Sequence, residues 1–352
     1  AYTSQTTKNR YQSQANVDER QPIETFYSSI VESNKLNIDS KINLMKRCLV
    51  SIVFLLVAHF TYAQSIPKVE TGSIVRIENF NSKYITNRNI DVWLPQGYDN
   101  NKKYAVLYMQ DGQMLFDSNT TWNKKSWMMQ SSITKLIKEN KIKEVIVVGI
   151  WNGGERRHSE YFPQKPFEML TTEQKNSIKV AVRKNNASVF NNYELNADNY
   201  LKFMVEELKP FIDKKFSTNT NSNNTFIAGS SMGGLISMYA ICEYPNVFGG
   251  AICMSTHWPG IFEMENNPIP QAFRSYLEAN LPNPKNHKLY FDYGDQTLDV
   301  LYPPLQNKVD EIMRKKGYTE KSWMTQFFKG QEHSEVAWSG RIHIPLAFML
   351  AK

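Results

Sequence analysis

A serine between glycines is the residue best suited to covalent chemistry in this chain. Ser231 lies in the run Gly-Ser-Ser-Met-Gly-Gly at positions 229–234, which follows a short apolar run and precedes a helical pattern. The pattern G-x-S-x-G in a strand-turn-helix context is typical of a nucleophile elbow. Gly229 and Gly233 fit it, because larger side chains would collide in so tight a turn. Ser231 is therefore the predicted nucleophile; a Gly/Ser turn without a chemical role is the alternative.

The partner that activates the serine is predicted to be His333. A serine hydroxyl reacts well only when a base, nearly always histidine, takes its proton. In chains with this elbow the acid and then the histidine follow the serine, which excludes His158. His287 precedes the strand that should carry the acid, and His343 falls inside the last predicted helix. His333 lies in a loop between the last strand and that helix, where the base is expected.

The acid that orients the histidine should follow the predicted strand 288–293. The loop after it contains Asp295 and Asp299, while Asp292 lies within the strand. Both loop aspartates could serve as the acid, and their distance from the strand in the sequence does not distinguish between them. Either could also be an ordinary loop carboxylate.

Two backbone N–H groups are needed to bind the oxyanion that forms on the substrate. Met232, directly after the nucleophile, supplies the first. The second should come from the turn at 110–113, which follows a buried strand and contains a glycine. Gln113 is the predicted donor in that turn.

The elements that position these residues alternate between strand and helix. An antiparallel pair at 73–79 and 90–94 opens the pattern, and the alternation that follows predicts a mostly parallel sheet with helices on both faces. Strands are predicted at 104–109, 144–150, 226–228, 250–254, 288–293 and 323–328, and helices at 126–139, 198–215, 270–279, 305–316 and 336–350. The long connection at 152–196 is interpreted as a cap over the site, with a surface excursion as the alternative.

Composition favours one large α/β domain and excludes several classes of function. The chain has 352 residues, of which 41% are hydrophobic and 12% aromatic. Its net charge of +7 is dispersed, which argues against nucleic-acid binding. The three cysteines lack metal-site spacing, so no metal is predicted. Cys242 and Cys253 are interpreted as buried thiols, and a disulfide between them stays open.

The first 63 residues have the pattern of an export signal preceded by extra sequence. Residues 1–44 are polar and without periodicity, which predicts disorder. A basic start at Met45, an apolar run at 48–60 and Thr-Tyr-Ala at 61–63 predict a signal peptide over 45–63. The apolar run is short for a membrane span. We therefore expect translation to start at Met45 and a secreted or periplasmic catalytic domain over 64–352, without a stable membrane anchor after cleavage.

Several motifs in order resemble one family of enzymes. They are Leu-Tyr-Met-Gln-Asp-Gly-Gln at 107–113, Val-Val-Gly-Ile-Trp-Asn at 147–152, the elbow at 229–234, Asp-Tyr-Gly at 292–294, and His333 followed by Trp338. Together they resemble the putative esterase family of α/β-hydrolases related to esterase D, over about residues 85–350. That family includes feruloyl and acetyl-xylan esterases, enterochelin-type siderophore esterases, mycolyltransferases and S-formylglutathione hydrolases.

The resemblance implies roles for particular residues. It implies an α/β-hydrolase fold with Ser231 as nucleophile and His333 as base, and it places Asp299 ahead of Asp295 as the acid. Two positions depart from the family, which usually has His in place of Gln110 and Thr in place of Asp295. The positions where the family forms its substrate pocket are Trp151, Asn152, His257 and Trp258.

The resemblance also implies the class of reaction. The expected function is that of a secreted serine esterase that cleaves acetyl or feruloyl esters on polysaccharide or oligosaccharide and needs no cofactor. A siderophore trilactone esterase is the alternative, for which Arg156, Arg157 and Arg183 could supply a basic pocket. A non-catalytic binding module of the same fold is a third interpretation, and acyl transfer in place of hydrolysis stays open.

Overall fold

The structure, a computed structural model, describes residues 45–46, 65–183 and 185–352. The folded part discussed below is the unit Ser65–Lys352. The disorder predicted for 1–44 lies outside the described residues, as does the predicted signal peptide over 45–63 apart from its first two residues. Every helix within the described ranges is too short or too polar to span a lipid bilayer.

An eight-stranded sheet forms the centre of this unit, in the order β1-β2-β4-β3-β5-β6-β7-β8. The first two strands pair antiparallel with each other, β2 pairs antiparallel with β4, and the remaining pairs are parallel. The predicted mostly parallel sheet is therefore confirmed. The strands are β1 Ser73–Phe80, β2 Arg88–Leu94, β3 Ala105–Met109, β4 Val145–Ile150, β5 Thr225–Ser230, β6 Gly250–Met254, β7 Lys288–Tyr293 and β8 Trp323–Phe327.

Helices cover both faces of the sheet, and three short ones lie in the long connection after β4. The helices are α1 Met129–Lys138, α2 Arg157–Tyr161, α3 Gln164–Glu168, α4 Thr172–Lys179, α5 Ala197–Lys202, α6 Lys209–Lys215, α7 Met232–Glu243, α8 Ile269–Asn280, α9 Pro303–Lys315, α10 Glu335–Arg341 and α11 His343–Leu350. Short 3₁₀ turns lie at Gly112–Met114, Gly154–Arg156, Ser222–Asn224 and Thr297–Leu301.

The alternation of side chains along each central strand produces a separate core on each face. In β3, Val106 and Tyr108 belong to one buried cluster, whereas Leu107 and Met109 belong to the other. Because both faces are covered, the strand is apolar at every position, as is typical of parallel strands in α/β proteins. Burial of these side chains fixes the register that brings the ends of β3, β5, β6 and β7 to one edge.

Proline explains two differences from the predicted helices. The predicted helix 198–215 contains a π-helical stretch, Phe203–Leu208, just before Pro210. The predicted helix 336–350 is two helices, and the break at Ile342 precedes Pro345. Since proline has no N–H, the carbonyl four residues earlier loses its partner, and the helix widens or breaks nearby.

Candidate active site

Ser231 occupies a strained turn between β5 and α7. Its backbone has φ 57° and ψ −122°, and its N–H donates to the Met254 carbonyl over 2.9 Å. A Cβ atom on Gly229 would lie 2.5 Å from the carbonyl carbon of Gly233, so this position accepts only glycine without a backbone shift. The turn points the serine away from the sheet, and the first N–H groups of α7 follow it directly.

His333 and Asp299 meet at the end of the sheet beside this turn. His333 Nδ1 lies 2.5 Å from Asp299 Oδ1, and the His333 backbone N–H donates to Thr297 Oγ1 over 2.9 Å. The Asp299 side chain is fully buried, whereas that of His333 is 14% exposed. An imidazole held in this way presents its other nitrogen, Nε2, for proton transfer.

The second carboxylate oxygen of Asp299 accepts two further hydrogen bonds. Ser255 Oγ and the Gly294 N–H each donate to Oδ2 over 2.7 Å. Burial alone would raise the Asp299 pKa, but the contact with His333 and these two donors hold that pKa below its ordinary value. The group is therefore a carboxylate at neutral pH.

Asp295 occupies a different position. Its Oδ1 accepts from the Gly330 N–H over 2.6 Å and from Gln296 Nε2 over 3.1 Å. These bonds connect two loops at the surface. The structure therefore brings Asp299, not Asp295, to the imidazole of His333.

The Ser231 side chain faces the hydroxyl of Tyr302. Burial raises the pKa of Tyr302 well above its ordinary value, and the neighbouring Ser231 hydroxyl opposes that rise. The Tyr302 ring packs edge-on against His333 with centroids 5.8 Å apart. No direct Ser231–His333 hydrogen bond occurs within the described part of the chain. Such bonds are often long in unliganded enzymes and tighten when substrate binds.

The turn after β3 lies beside the elbow and presents a free donor. The backbone N–H groups of Met232 and Gln113 donate to no other group in the described residues. Asp111, in the left-handed conformation with φ 55°, fixes the turn through two bonds from Arg157, at 2.6 and 2.7 Å, and one from Asn152 Nδ2 at 2.7 Å. These contacts hold the turn beside the elbow, where Asp111 and Gln110 pack against Gly233.

Gln110, where the resemblance leads one to expect histidine, points into the protein. Its side chain is buried and its Oε1 accepts a hydrogen bond from the Tyr200 hydroxyl. The departure from the family pattern is therefore accommodated inside the fold, and the turn still closes against β4 at Gly112 and Gly149.

A cavity of about 220 Å³ opens beside Ser231. The long connection after β4 supplies part of its wall, which agrees with the interpretation of that segment as a cap. Arg157 in the wall is paired with Asp111. Arg183 donates to the Val189 carbonyl over 3.1 Å and forms no ion pair with a described residue. The lining residues are Gly154, Glu155, Arg157, His158, Arg183, Asn191, Ser231, Met232, His257, Phe262 and Leu298.

Of the four residues predicted to form the substrate pocket, the structure places His257 in the cavity wall. Trp258 is 2% exposed and its indole N–H donates to Gln306 Oε1, so it belongs to the core. Trp151 donates to Asp91 Oδ2 over 2.9 Å and packs under the Arg76 guanidinium. Asn152 binds Asp111 as described above. These three side chains have protein partners that hold them outside the cavity wall.

Three residues at the site, Tyr302, Ser255 and Arg341, carried no signal in the sequence. Asp292 stood out through the Asp-Tyr-Gly motif at 292–294, but no spacing rule indicates its buried ion pair with Arg341 behind Asp299. Cys242 and Cys253 are free and buried. In the described ranges, no group of three or more His, Cys, Asp or Glu could hold a metal ion.

Sequence comparison shows the family of the chain. A family model described as "Putative esterase" matches residues 82–342. The chain is 23% identical over 254 residues to the uncharacterized protein YbbA of Bacillus subtilis, a match that covers 70% of this chain and 86% of that protein. It is 26% identical over 205 residues to an endo-1,4-beta-xylanase/feruloyl esterase of Xylanibacter ruminicola, covering 54% of this chain and 23% of that protein.

Solved structures share the fold. A ferulic acid esterase superposes with a TM-score of 0.56 at 18% identity, covering 80% of this chain and 99% of that one. The enterobactin esterase FES from Shigella flexneri superposes with a TM-score of 0.53 at 14% identity, covering 80% of this chain and 60% of that one. The family match spans the elbow, the loop of Asp299 and His333, and so the chain belongs to the putative esterase family of α/β-hydrolases and is a carboxylic ester hydrolase.

Proposed function

We propose that the chain is a serine esterase in which Ser231 is the nucleophile, His333 the base and Asp299 the acid. The observation that carries the proposal is the 2.5 Å contact between His333 Nδ1 and Asp299 Oδ1. It lies beside a serine with the strained backbone of an elbow, φ 57°. A carboxylate that fixes an imidazole near a half-buried serine at the edge of a cavity is the arrangement that activates a hydroxyl for attack.

The proposed reaction has two halves. In the first, Ser231 Oγ attacks the ester carbonyl while His333 Nε2 takes its proton, and the same proton then passes to the departing alcohol. The N–H groups of Met232 and Gln113 bind the oxyanion during this step. In the second half, water attacks the acyl-serine, His333 takes a proton from the water, and the acid product leaves as the proton returns to Ser231.

The proposed substrates are acetyl or feruloyl esters of polysaccharide or oligosaccharide. The similarity to the xylanase/feruloyl esterase and the shared fold with a ferulic acid esterase support this choice. One observation favours the alternative, an anionic siderophore trilactone: Arg183 lines the cavity and has no ion pair among the described residues. The Arg183 guanidinium lies over the Phe262 ring, 5.3 Å from its centroid, and its positive charge would attract an anionic ester.

An ester panel separates these possibilities. The 64–352 protein is assayed on p-nitrophenyl acetate, methyl ferulate, acetylated xylan and a ferric catecholate trilactone, together with Ser231→Ala and a matched control, Ser230→Ala, one residue earlier on β5. Ser231→Ala should lose activity at least about 10³-fold, and the control should keep it. Retained activity in Ser231→Ala would contradict the serine mechanism, and inactivity of the folded wild type on every ester would favour a binding module.

We also propose that the catalytic domain is exported after removal of the signal peptide predicted at 45–63. The support is the order of basic, apolar and small residues in that stretch. Mass spectrometry of the mature protein should find Gln64 at its N-terminus, and a mature chain that begins earlier would contradict this part of the proposal.

A further inference from the structure

Trp122 is the most exposed large hydrophobic side chain in the part of the chain that the structure describes. It is 83% exposed, whereas Trp93, Trp127, Trp258 and Trp338 are each at most 5% exposed. Its indole has no hydrogen-bond partner or ring contact among the described residues. An indole usually buries most of its surface, because its apolar area is large. This one therefore offers a flat apolar face and an unused N–H donor to a binding partner.

The loop that carries this indole is held in place by its own hydrogen bonds. It connects the turn after β3 to α1. Asp117 Oδ2 accepts the backbone N–H of Lys68 over 3.0 Å, and Thr121, which is 3% exposed, donates its hydroxyl to the Ser118 carbonyl over 2.9 Å. Because Thr121 directly precedes Trp122, a ligand meets a backbone that is already ordered, and binding costs little conformational entropy.

The same loop packs against the segment that carries the proposed base. Asn123 Nδ2 donates to Glu335 Oε2 over 3.1 Å, and Glu335 follows His333 by two residues at the start of α10. Trp127 stacks on Trp338 with ring centroids 5.3 Å apart, and Trp338 packs edge-on against His333 with centroids 4.9 Å apart. The exposed indole therefore lies on a loop that two contacts connect to the segment of His333.

The chemistry of the proposed reaction assigns the two parts of the ester to different sides of the site. His333 Nε2 gives its proton to the oxygen of the departing alcohol, so the alcohol part must lie on the His333 side. The acyl part has the cavity of about 220 Å³ beside Ser231, whose wall comes from other segments of the described chain than the Trp122 loop. In an ester of a saccharide, the alcohol part is the sugar.

We propose that Trp122 is a stacking surface for a sugar ring in the alcohol part of the ester, outside the cavity and on the His333 side of the site. The apolar C–H face of a sugar ring packs flat on an indole, and the indole N–H donates to a sugar hydroxyl. The inference rests on the proposed function and adds a binding residue for its carbohydrate. Trp122 binds the substrate and takes no part in the chemistry.

Two acetate esters that differ in the alcohol test this with the full chain. The values of kcat and KM are measured on acetylated xylo-oligosaccharide and on ethyl acetate, whose alcohol has no ring. Trp122→Ala should raise KM for the oligosaccharide about tenfold, the effect of one stacked ring, with kcat nearly unchanged. Both constants for ethyl acetate should stay as in the wild type. Trp122→Phe should keep most of the affinity, and Trp122→Leu, which is apolar but not aromatic, should lose it as Trp122→Ala does.

A binding measurement separates affinity from turnover. In the Ser231→Ala background, calorimetric titration with the acetylated oligosaccharide should show a Kd about tenfold higher when Trp122→Ala is added. An unchanged Kd, with circular dichroism that matches the wild type, would overturn the inference.

The remaining outcomes distinguish this inference from the serine mechanism. Equal losses on both acetates in Trp122→Ala would overturn the inference, because the loop would then act through His333. A loss confined to a ferric catecholate trilactone would contradict a sugar as the ligand. Hydrolysis of ethyl acetate but not of the oligosaccharide by the wild type would overturn the inference and leave the serine mechanism intact. Unchanged hydrolysis by Ser231→Ala would instead overturn the proposed function itself.

Discussion

Ser255 donates its hydroxyl hydrogen to Asp299 Oδ2 over 2.7 Å and is the centre of the network behind the proposed acid. The Ser255 hydroxyl oxygen also accepts hydrogen bonds from Trp338 Nε1 at 3.0 Å and from Arg341 Nη2 at 2.9 Å. One donated and two accepted bonds use the full capacity of a hydroxyl. Trp338 also packs edge-on against His333, with ring centroids 4.9 Å apart, so one network holds both proposed partners of the serine.

Ser255→Ala should therefore reduce both stability and activity. Two buried donors, on Trp338 and Arg341, would lose a partner, which should lower the free energy of unfolding by about 1–3 kcal/mol. Urea unfolding and kcat are measured beside Ser237→Ala, which removes a buried hydroxyl that donates only to the Gly233 carbonyl. A loss of kcat no larger than in Ser237→Ala would contradict a role for Ser255 in holding Asp299.

The two loop aspartates should respond differently to loss of charge. Asp299→Asn should lower kcat by about 10⁴-fold, because an amide at this position favours the wrong imidazole tautomer for His333. Asp295→Asn is the matched control, and its kcat should change by less than about threefold, since Asp295 binds surface loops. Comparable losses of kcat in both variants would show that the contact with His333 does not determine which aspartate is the catalytic acid.

His158 should make the protein less stable in mild acid. Its Nε2 lies 2.8 Å from the Gly260 carbonyl, so this nitrogen carries the proton. Burial, with the charges of Arg183 and Arg157, lowers its pKa from 6.5 to about 3. Between these values the unfolded chain binds a proton that the folded chain does not. The free energy of unfolding should therefore fall by up to about 1.4 kcal/mol per unit as the pH drops below 6.5.

The variant His158→Gln, which can still donate to the Gly260 carbonyl, isolates that contribution. Urea unfolding at pH 8, 6 and 4.5 should show a smaller loss of stability toward acid than in the wild type. At pH 8 both the histidine and the glutamine side chain are neutral. The difference in unfolding free energy between wild type and variant at that pH therefore measures the change in packing alone. Parallel pH curves for the two proteins would rule out His158 as the source.

Gly229→Ala should disrupt the elbow. Its new Cβ would lie 2.5 Å from the Gly233 carbonyl carbon, a backbone atom, so the turn at Ser231 must move. We expect a loss of about 1–3 kcal/mol in unfolding free energy together with a fall in kcat. Gly340→Ala is the control: nothing lies within 4 Å of its Cβ at an exposed position of α10, so the free energy of unfolding should rise by about 0.5–1 kcal/mol. Equal stability of the two variants would contradict the steric argument.

The sequence by itself determined the features that depend on local pattern. The elbow at Ser231, the loop position of His333 and the alternation of strands and helices follow from short runs of residue types, because backbone conformation and hydrophobic periodicity are set mainly by neighbours in the chain. The long connection at 152–196 stood out for the same reason, since its length departs from that alternation. Proline altered the predicted helices only locally.

The tertiary structure decided what depends on distance between segments far apart in the chain. Asp295 and Asp299 are equivalent in spacing, and only the packing of their loop against the loop of His333 shows which carboxylate meets the imidazole. Trp258 and His257 are adjacent in sequence, yet one faces the core and the other the cavity. Tyr302 carries no motif at all. These side chains come together only when segments far apart in the chain pack against each other. A local sequence pattern does not show which of those segments will be in contact.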